Sequence, residues 1–254
     1  MSARLSMSWL PASAAVIGLS VAAVSASPTI LPSDPDTHAD IGIAYDPDAG
    51  EWDLHVHKEQ PAPDEEFEPD EVIFLVPNQA ALERVGGYAA PEFDFLGVGV
   101  GETFWMLPAI QESELLYLGI GSEEMDGTTF DSYLETDPRV NLTGRWIKLQ
   151  LVDVRGPGHF SAWTDGPTPT VWWSSFDALD ATDAVWNLEG GHDHYSFAFS
   201  LPGLYEVDFV ASAYIDGDLV ASEPTTYTFA VVPEPASGAV LALGGLLLGR
   251  RRRN

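Results

Sequence analysis

Apolar residues in this chain recur at every second position, and each run is cut short by Gly, Pro or Asp. A period of two matches the pleat of a strand and not the turn of a helix, so the pattern commits most of the chain to β-structure. Ile41, Ile43 and Tyr45 alternate with other residues, Asp46-Pro47-Asp48-Ala49-Gly50 turns the chain, and Trp52, Leu54 and Val56 alternate with Asp53, His55 and His57. This reads as a β-hairpin. Residues 72–76 are continuously apolar and stop at Pro77, as a strand buried on both faces would. Further strands are expected at 94–100, 103–107, 115–120, 146–154, 159–163, 171–174, 192–200, 204–214 and 226–232, with Asp216-Gly217 as a hairpin turn. One helical turn is expected at 80–85. Residues 122–140, rich in Glu, Asp, Gly and Thr, read as a loop and leave an internal boundary open there. Many short strands joined by turns imply an all-β fold, an immunoglobulin-like antiparallel β-sandwich. Gly203-Leu204-Tyr205 at the start of a strand fits the tyrosine corner of such folds.

The two ends differ from the body. Arg4, an uncharged apolar stretch over 12–24 and the small residues of Val24-Ser25-Ala26 read as a secretory signal cleaved after Ala26, with Pro28 and Pro32 following at once. At the other end, Val232-Pro233-Glu234-Pro235 leads into an apolar run over 236–248 and then Arg250-Arg251-Arg252-Arg253. That run is short for a bilayer crossing, and the arginines hold its end on the cytoplasmic side. Both end segments are expected to be helical. Between them lie 27–232.

Charge narrows the function. The chain has 11 Lys and Arg against 39 Asp and Glu, a net charge of −28. Five of the basic residues but only one acid, Glu234, lie in the two end segments, so 27–232 keeps 6 basic and 38 acidic residues. A body so negative excludes a general nucleic-acid binder and attracts cations. There is no cysteine, so an exported domain of this kind rests on its core or on a metal rather than on disulfides.

The Pro233-Glu234-Pro235 triplet, the apolar segment and the terminal arginines together resemble the PEP-CTERM sorting signal of Gram-negative bacteria. The resemblance implies processing by an exosortase, transient inner-membrane anchoring and delivery to the outer surface or extracellular matrix. In the body, Gly191-His192-Asp193-His194-Tyr195-Ser196-Phe197-Ala198-Phe199, followed by Pro202-Gly203-Leu204-Tyr205-Glu206-Val207-Asp208-Phe209, resembles the choice-of-anchor M, or surface-anchored protein, domain of actinobacterial-type repeats. Gly156-Pro157-Gly158-His159 and Trp172-Trp173-Ser174-Ser175 fit the same pattern. Tyr195-Ser196-Phe197 departs from it where the family has Tyr-Asn-Trp. The resemblance implies a surface-displayed β domain, and association of some relatives with zinc/manganese transporters raises the case for metal.

Several residues carry candidate chemistry. His55 and His57, and again His192 and His194, are spaced i, i+2, so each pair shares one strand face opposite the apolar one. Two convergent His pairs suit a zinc or manganese site, with Asp53, Asp40 or His38 able to add a ligand. The competing reading gives each pair only hydrogen bonds to nearby backbone. Calcium is a weaker candidate at Asp46-Pro47-Asp48-Ala49-Gly50-Glu51 and Asp216-Gly217-Asp218, which lack the twelve-residue loop pattern. Of Trp172 and Trp173, adjacent on a strand, one ring is expected to fill the core and the other to offer a stacking platform for glycan. No nucleophile elbow, phosphate loop or cysteine nucleophile is present, so no catalytic activity is expected. The sequence therefore points to an exported structural or interaction module meeting exopolysaccharide or other envelope proteins. A surface metal-binding protein and a glycan-binding module are the alternatives.

Overall fold

The computed structural model describes residues 27–233 except 33, 135, 136 and 142. Ala26, Glu234, Pro235, Arg250, Arg251, Arg252 and Arg253, with both expected terminal helices, lie outside the described residues; Pro233 lies at their edge. Three sheets build the molecule. The first runs in the order Thr29–Leu31, Val72–Val76, Thr225–Val231, Gly203–Ile215, Trp146–Arg155 and Ala184–Leu188, with Asp218–Ala221 hairpinned onto Gly203–Ile215. The second runs Thr170–Ser174, Phe160–Thr164, Ser196–Phe199, Thr103–Leu107 and Ala81–Glu83. The third runs His192–His194, Tyr117–Gly121, His38–Asp46, Glu51–Gln60 and Glu65–Phe67.

The first sheet packs against both others. Trp173 Nε1, from the second, donates to the Leu149 carbonyl at 3.1 Å, and the Tyr227 hydroxyl donates to the His55 carbonyl of the third at 3.0 Å. One continuous apolar core lies between the layers. The twelve largest fully buried side chains among the described residues are all Trp, Tyr or Phe, ten of them in this core and Phe104 and Trp163 in a smaller cluster beside it, each contributing roughly 1.5–3 kcal/mol by its removal from water. That is how a cysteine-free chain holds this fold. The strands before and after 122–140 pair within all three sheets and share that core.

The architecture is all-β and layered, but not wholly antiparallel. Thr29–Leu31 and Thr225–Val231 both flank Val72–Val76 in parallel, and His38–Asp46 runs parallel to Tyr117–Gly121. The Asp216-Gly217 turn forms as expected, with φ of 53° and 85° at its two residues. Tyr205 makes the corner contact: its hydroxyl donates to the Leu201 carbonyl at 2.7 Å and accepts from the Leu201 N–H at 3.2 Å.

Two expectations are corrected around residue 90. The helical turn at 80–85 is instead the strand Ala81–Glu83, preceded by the 3-10 turn Asn78–Ala80. The expected strand at 94–100 is largely the 3-10 segment Pro91–Leu96 and a loop. The cause is Arg84, 4% exposed, whose guanidinium donates to the carbonyls of Tyr88, Ala90 and Val98 and to Asp94. Those carbonyls turn inward to a charge and are lost to any sheet. No helix among the described residues is long and apolar enough to cross a membrane.

Candidate metal centre

The third sheet has one face on the core and one face of polar residues and glycine. Cross-strand pairing fixes which side chains share that polar face. One row reads His194, Gly119, Asp40, His57, and the next reads His192, Gly121, Gly42, His55. Neighbouring strands lie about 4.8 Å apart, so Asp40 and His194, two strands apart, meet only because Gly119 between them carries no side chain. A Cβ at Gly119 would stand 2.1 Å from Asp40 Oδ1, 2.7 Å from His192 Nε2 and 3.0 Å from His194 Cε1. The glycine alternation of Tyr117–Gly121 thus empties a cradle into which the neighbouring side chains fold.

Four side chains fill it. His38, Asp40, His192 and His194 each bring a ligand atom within 4.8 Å of the others. Asp40 is 1% exposed and His38 7%. His192 Nε2 lies 3.1 Å from Asp40 Oδ1, and His38 Nε2 lies 3.5 Å from the same oxygen. A tetrahedral ion with bonds of 2.0–2.1 Å holds its ligand atoms about 3.3 Å apart, the value these two distances bracket. Both Asp40 oxygens, His38 Nε2 and His192 Nε2 are buried and make no hydrogen bond among the described residues. The His192–Asp40 contact is of ion-pair length, but its angles do not make a hydrogen bond. Buried polar atoms left so are costly, and a cation among them satisfies all at once.

The outer edges of the rings are held as metal-bound imidazoles usually are. His194 Nδ1 lies 3.0 Å from the Leu118 carbonyl, the position of an N–H donor, which leaves Nε2 as the ligand nitrogen. His38 Nδ1 lies 2.9 Å from Glu59 Oε2, and His192 Nδ1 lies 3.6 Å from Glu123 Oε1. His38 and His192 stack with centroids 5.2 Å apart, and Tyr117 stacks on His194 at 3.6 Å. Behind them Asn187, fully buried, donates to the Ile120 carbonyl and accepts from the Ser122 hydroxyl, fixing the approach to His192–His194.

Charge follows from this packing. Burial alone would raise Asp40, but the imidazoles of His192 and His38 outweigh it and hold the carboxyl at about 2. The Asp40 carboxylate pushes His192 up to about 9 against the opposing effect of burial. Burial draws His194 down to about 4, so its ring stays neutral. Burial also lowers His38, but Asp40 and Glu59 more than offset it and leave the ring raised. Without metal, a proton on His192 sits against Asp40. With metal, the ion takes its place.

The site therefore unites one expected dyad with residues weighed only as additions. His192 and His194 lie in it, completed by His38 and Asp40. His55 and His57 share the sheet face but not the ligand group. His55 lies over Gly42, whose Cβ would stand 2.2 Å from Nε2, and its ion pairs are with Glu124 at 3.4 Å and Asp53 at 3.9 Å. The expected strand 192–200 is in fact two, His192–His194 and Ser196–Phe199, in different sheets. Neither acidic turn proposed for calcium belongs to a ligand group among the described residues. Asp46 spends its carboxylate capping the N–H groups of Asp48 and Ala49. Trp173 is fully buried, while Trp172 is half-buried with Arg139 over its ring at 4.8 Å. Glu59, Glu123 and the glycines were not singled out from sequence, though Gly at i, i+2 within a strand marks a close approach.

No family model, curated protein or solved structure matches this chain.

Proposed function

We propose that this chain is an exported, surface-displayed β-sandwich protein that binds one divalent transition-metal ion of the zinc class through His38, Asp40, His192 and His194. The observation that carries the reading is the convergence of three imidazoles on a buried carboxylate, two of them at tetrahedral ligand spacing, with His38 Nε2, His192 Nε2 and both Asp40 oxygens buried and without a hydrogen bond of good geometry among the described residues. Three nitrogens and one oxygen suit zinc, with manganese a poorer match because it prefers more oxygen. Four protein ligands fill a tetrahedral shell, so the centre holds its ion and leaves no position for an activated water; the reading is of a binder and not of an enzyme. In a cysteine-free body the ion also joins two strands of the third sheet, His38–Asp46 and His192–His194, across the strand between them, a role disulfides play elsewhere.

The immunoglobulin-like assignment is part of this proposal and is supported by the Tyr205 corner. So is membership of the choice-of-anchor M group with PEP-CTERM processing by an exosortase, which rests on the motifs quoted above.

The test is zinc binding by competition with a chromophoric chelator, using the purified full chain stripped of metal. One equivalent at micromolar affinity or tighter is expected, lost in His192→Ala/His194→Ala and in Asp40→Asn but kept in His55→Ala/His57→Ala. Equal binding by all four proteins would show that zinc attaches to the acidic surface and would end the proposal.

A further inference from the structure

Beside the metal centre a second group converges. Asp40, Glu59 and Glu123 each bring a carboxylate oxygen within 4.8 Å of the others. Among the described residues their ion pairs are all with His38 and His192, and no Lys or Arg reaches them. Three acidic groups this close repel one another unless a cation lies between them. An acidic cluster alone would mean little; what sets this one apart is Asp40, 1% exposed with both oxygens free of hydrogen bonds among the described residues.

Asp40 Oδ1 is the atom that faces His38 and His192. Oδ2 is left over, on the side of Gly121, whose Cβ would stand 3.7 Å from it in ordinary contact. The chain then leads through Ser122 to Glu123. Accounting for Oδ2 needs a second positive partner, and the side chains that converge with Asp40, those of Glu59 and Glu123, offer carboxylate oxygen. Such a set selects hard cations, calcium and manganese above zinc.

We infer that Asp40 bridges two cations: the zinc-class ion through Oδ1, and a hard divalent cation through Oδ2 held also by Glu59 and Glu123. The inference rests on the first centre being a metal site. Glu59 and Glu123 then serve twice, each turning an imidazole with one oxygen and offering another to the second ion. With three protein carboxylates, water completes the shell, so the second ion exchanges readily while the first stays.

The experiment loads the stripped full chain with one equivalent of zinc, removes the excess, and titrates Mn²⁺ while following the six-line paramagnetic resonance signal of the free ion. One further equivalent of Mn²⁺ is expected, with affinity at least tenfold weaker in Glu123→Gln compared at equal zinc occupancy, which metal analysis fixes before the titration. Wild type loaded with Mn²⁺ in both positions is expected to show the exchange-coupled spectrum of two carboxylate-bridged ions. Zinc retention with no Mn²⁺ uptake beyond that of Glu123→Gln overturns the second site and leaves the first standing. Failure to retain zinc in the first step overturns both, and is seen before any Mn²⁺ is added.

Discussion

Gly119→Ala should abolish zinc binding while leaving the fold intact. The new methyl carbon would stand 2.1 Å from Asp40 Oδ1, where ordinary contact begins at 3.4 Å, so the carboxylate must retreat by about 1.3 Å. His192 Nε2 and His194 Cε1, at 2.7 and 3.0 Å, must yield by smaller amounts. A metal site tolerates about 0.2 Å in its bond lengths. Disturbing even an outer partner of a ligand weakens binding about 10–100-fold, so displacing Asp40 itself should cost at least about 100-fold, or about 2.8 kcal/mol. Against this, alanine is favoured over glycine within a strand by roughly 0.5–1 kcal/mol, which limits the change in stability of the metal-free protein. Two sister substitutions serve as controls. Gly121→Ala places its Cβ 3.7 Å from Asp40, an ordinary contact, and should bind zinc within about threefold of wild type. Gly42→Ala first meets the His55 ring, which is outside the ligand group, and should do the same. Competition titration of the three variants, with circular dichroism to confirm folding, decides the matter. Gly119→Ala binding zinc as tightly as Gly121→Ala would refute the placement of the ion.

Metal affinity should rise with pH, because His192 is held at about 9 by Asp40 and must lose its proton to bind the ion; log K climbing by about one per pH unit from 7 to 9 is expected, and a flat profile would contradict it. The same shift governs the metal-free fold. The raised His192 stabilises it fully below its ordinary 6.5, and that contribution is lost as pH rises through about 9, whereas the lowered Asp40 stabilises it above 3.8 and fails as pH falls through about 2. The gap in Tm between zinc-loaded and stripped protein should therefore widen between pH 6.5 and 9. Tyr205→Phe removes both hydrogen bonds to Leu201 and should cost about 1–2 kcal/mol in urea unfolding with no effect on zinc. Arg84→Ala leaves three inward carbonyls without their donor, Asp94 being exposed to water, and should cost at least about 1–3 kcal/mol, measured the same way.

Where a strand's own residues decided its state, the sequence was readable. The alternation of Trp52, Leu54 and Val56, the Asp216-Gly217 turn and the corner Tyr205 all speak through local pattern, and all stand where expected. Order and direction were less readable, because the parallel partners of Val72–Val76 come from positions near 30 and 229. The Arg84 excursion was hidden for a different reason: residues 94–100 have strand-like composition, and a single buried guanidinium takes the Val98 carbonyl and the Asp94 side chain, with the carbonyls of Tyr88 and Ala90 before them. At the centre, spacing exposed both histidine pairs but could not say which strands would be neighbours. His192 and His194 found His38 and Asp40 across Gly119, whereas His57 lies beyond Asp40 in the same row and His55 beyond Gly42 in the next. The missed signal was the pair of glycines in Tyr117–Gly121, which contribute by having no side chains.

The central claim is tested most directly by X-ray absorption at the zinc edge of the stripped full chain reloaded with one equivalent. Four nitrogen or oxygen neighbours at about 2.0–2.1 Å, with the outer-shell scattering of three imidazoles, and no such spectrum from His192→Ala/His194→Ala, which does not retain the ion, is the predicted result. A six-oxygen shell without imidazole scattering, unchanged in that variant, would place zinc on the acidic surface and contradict the account.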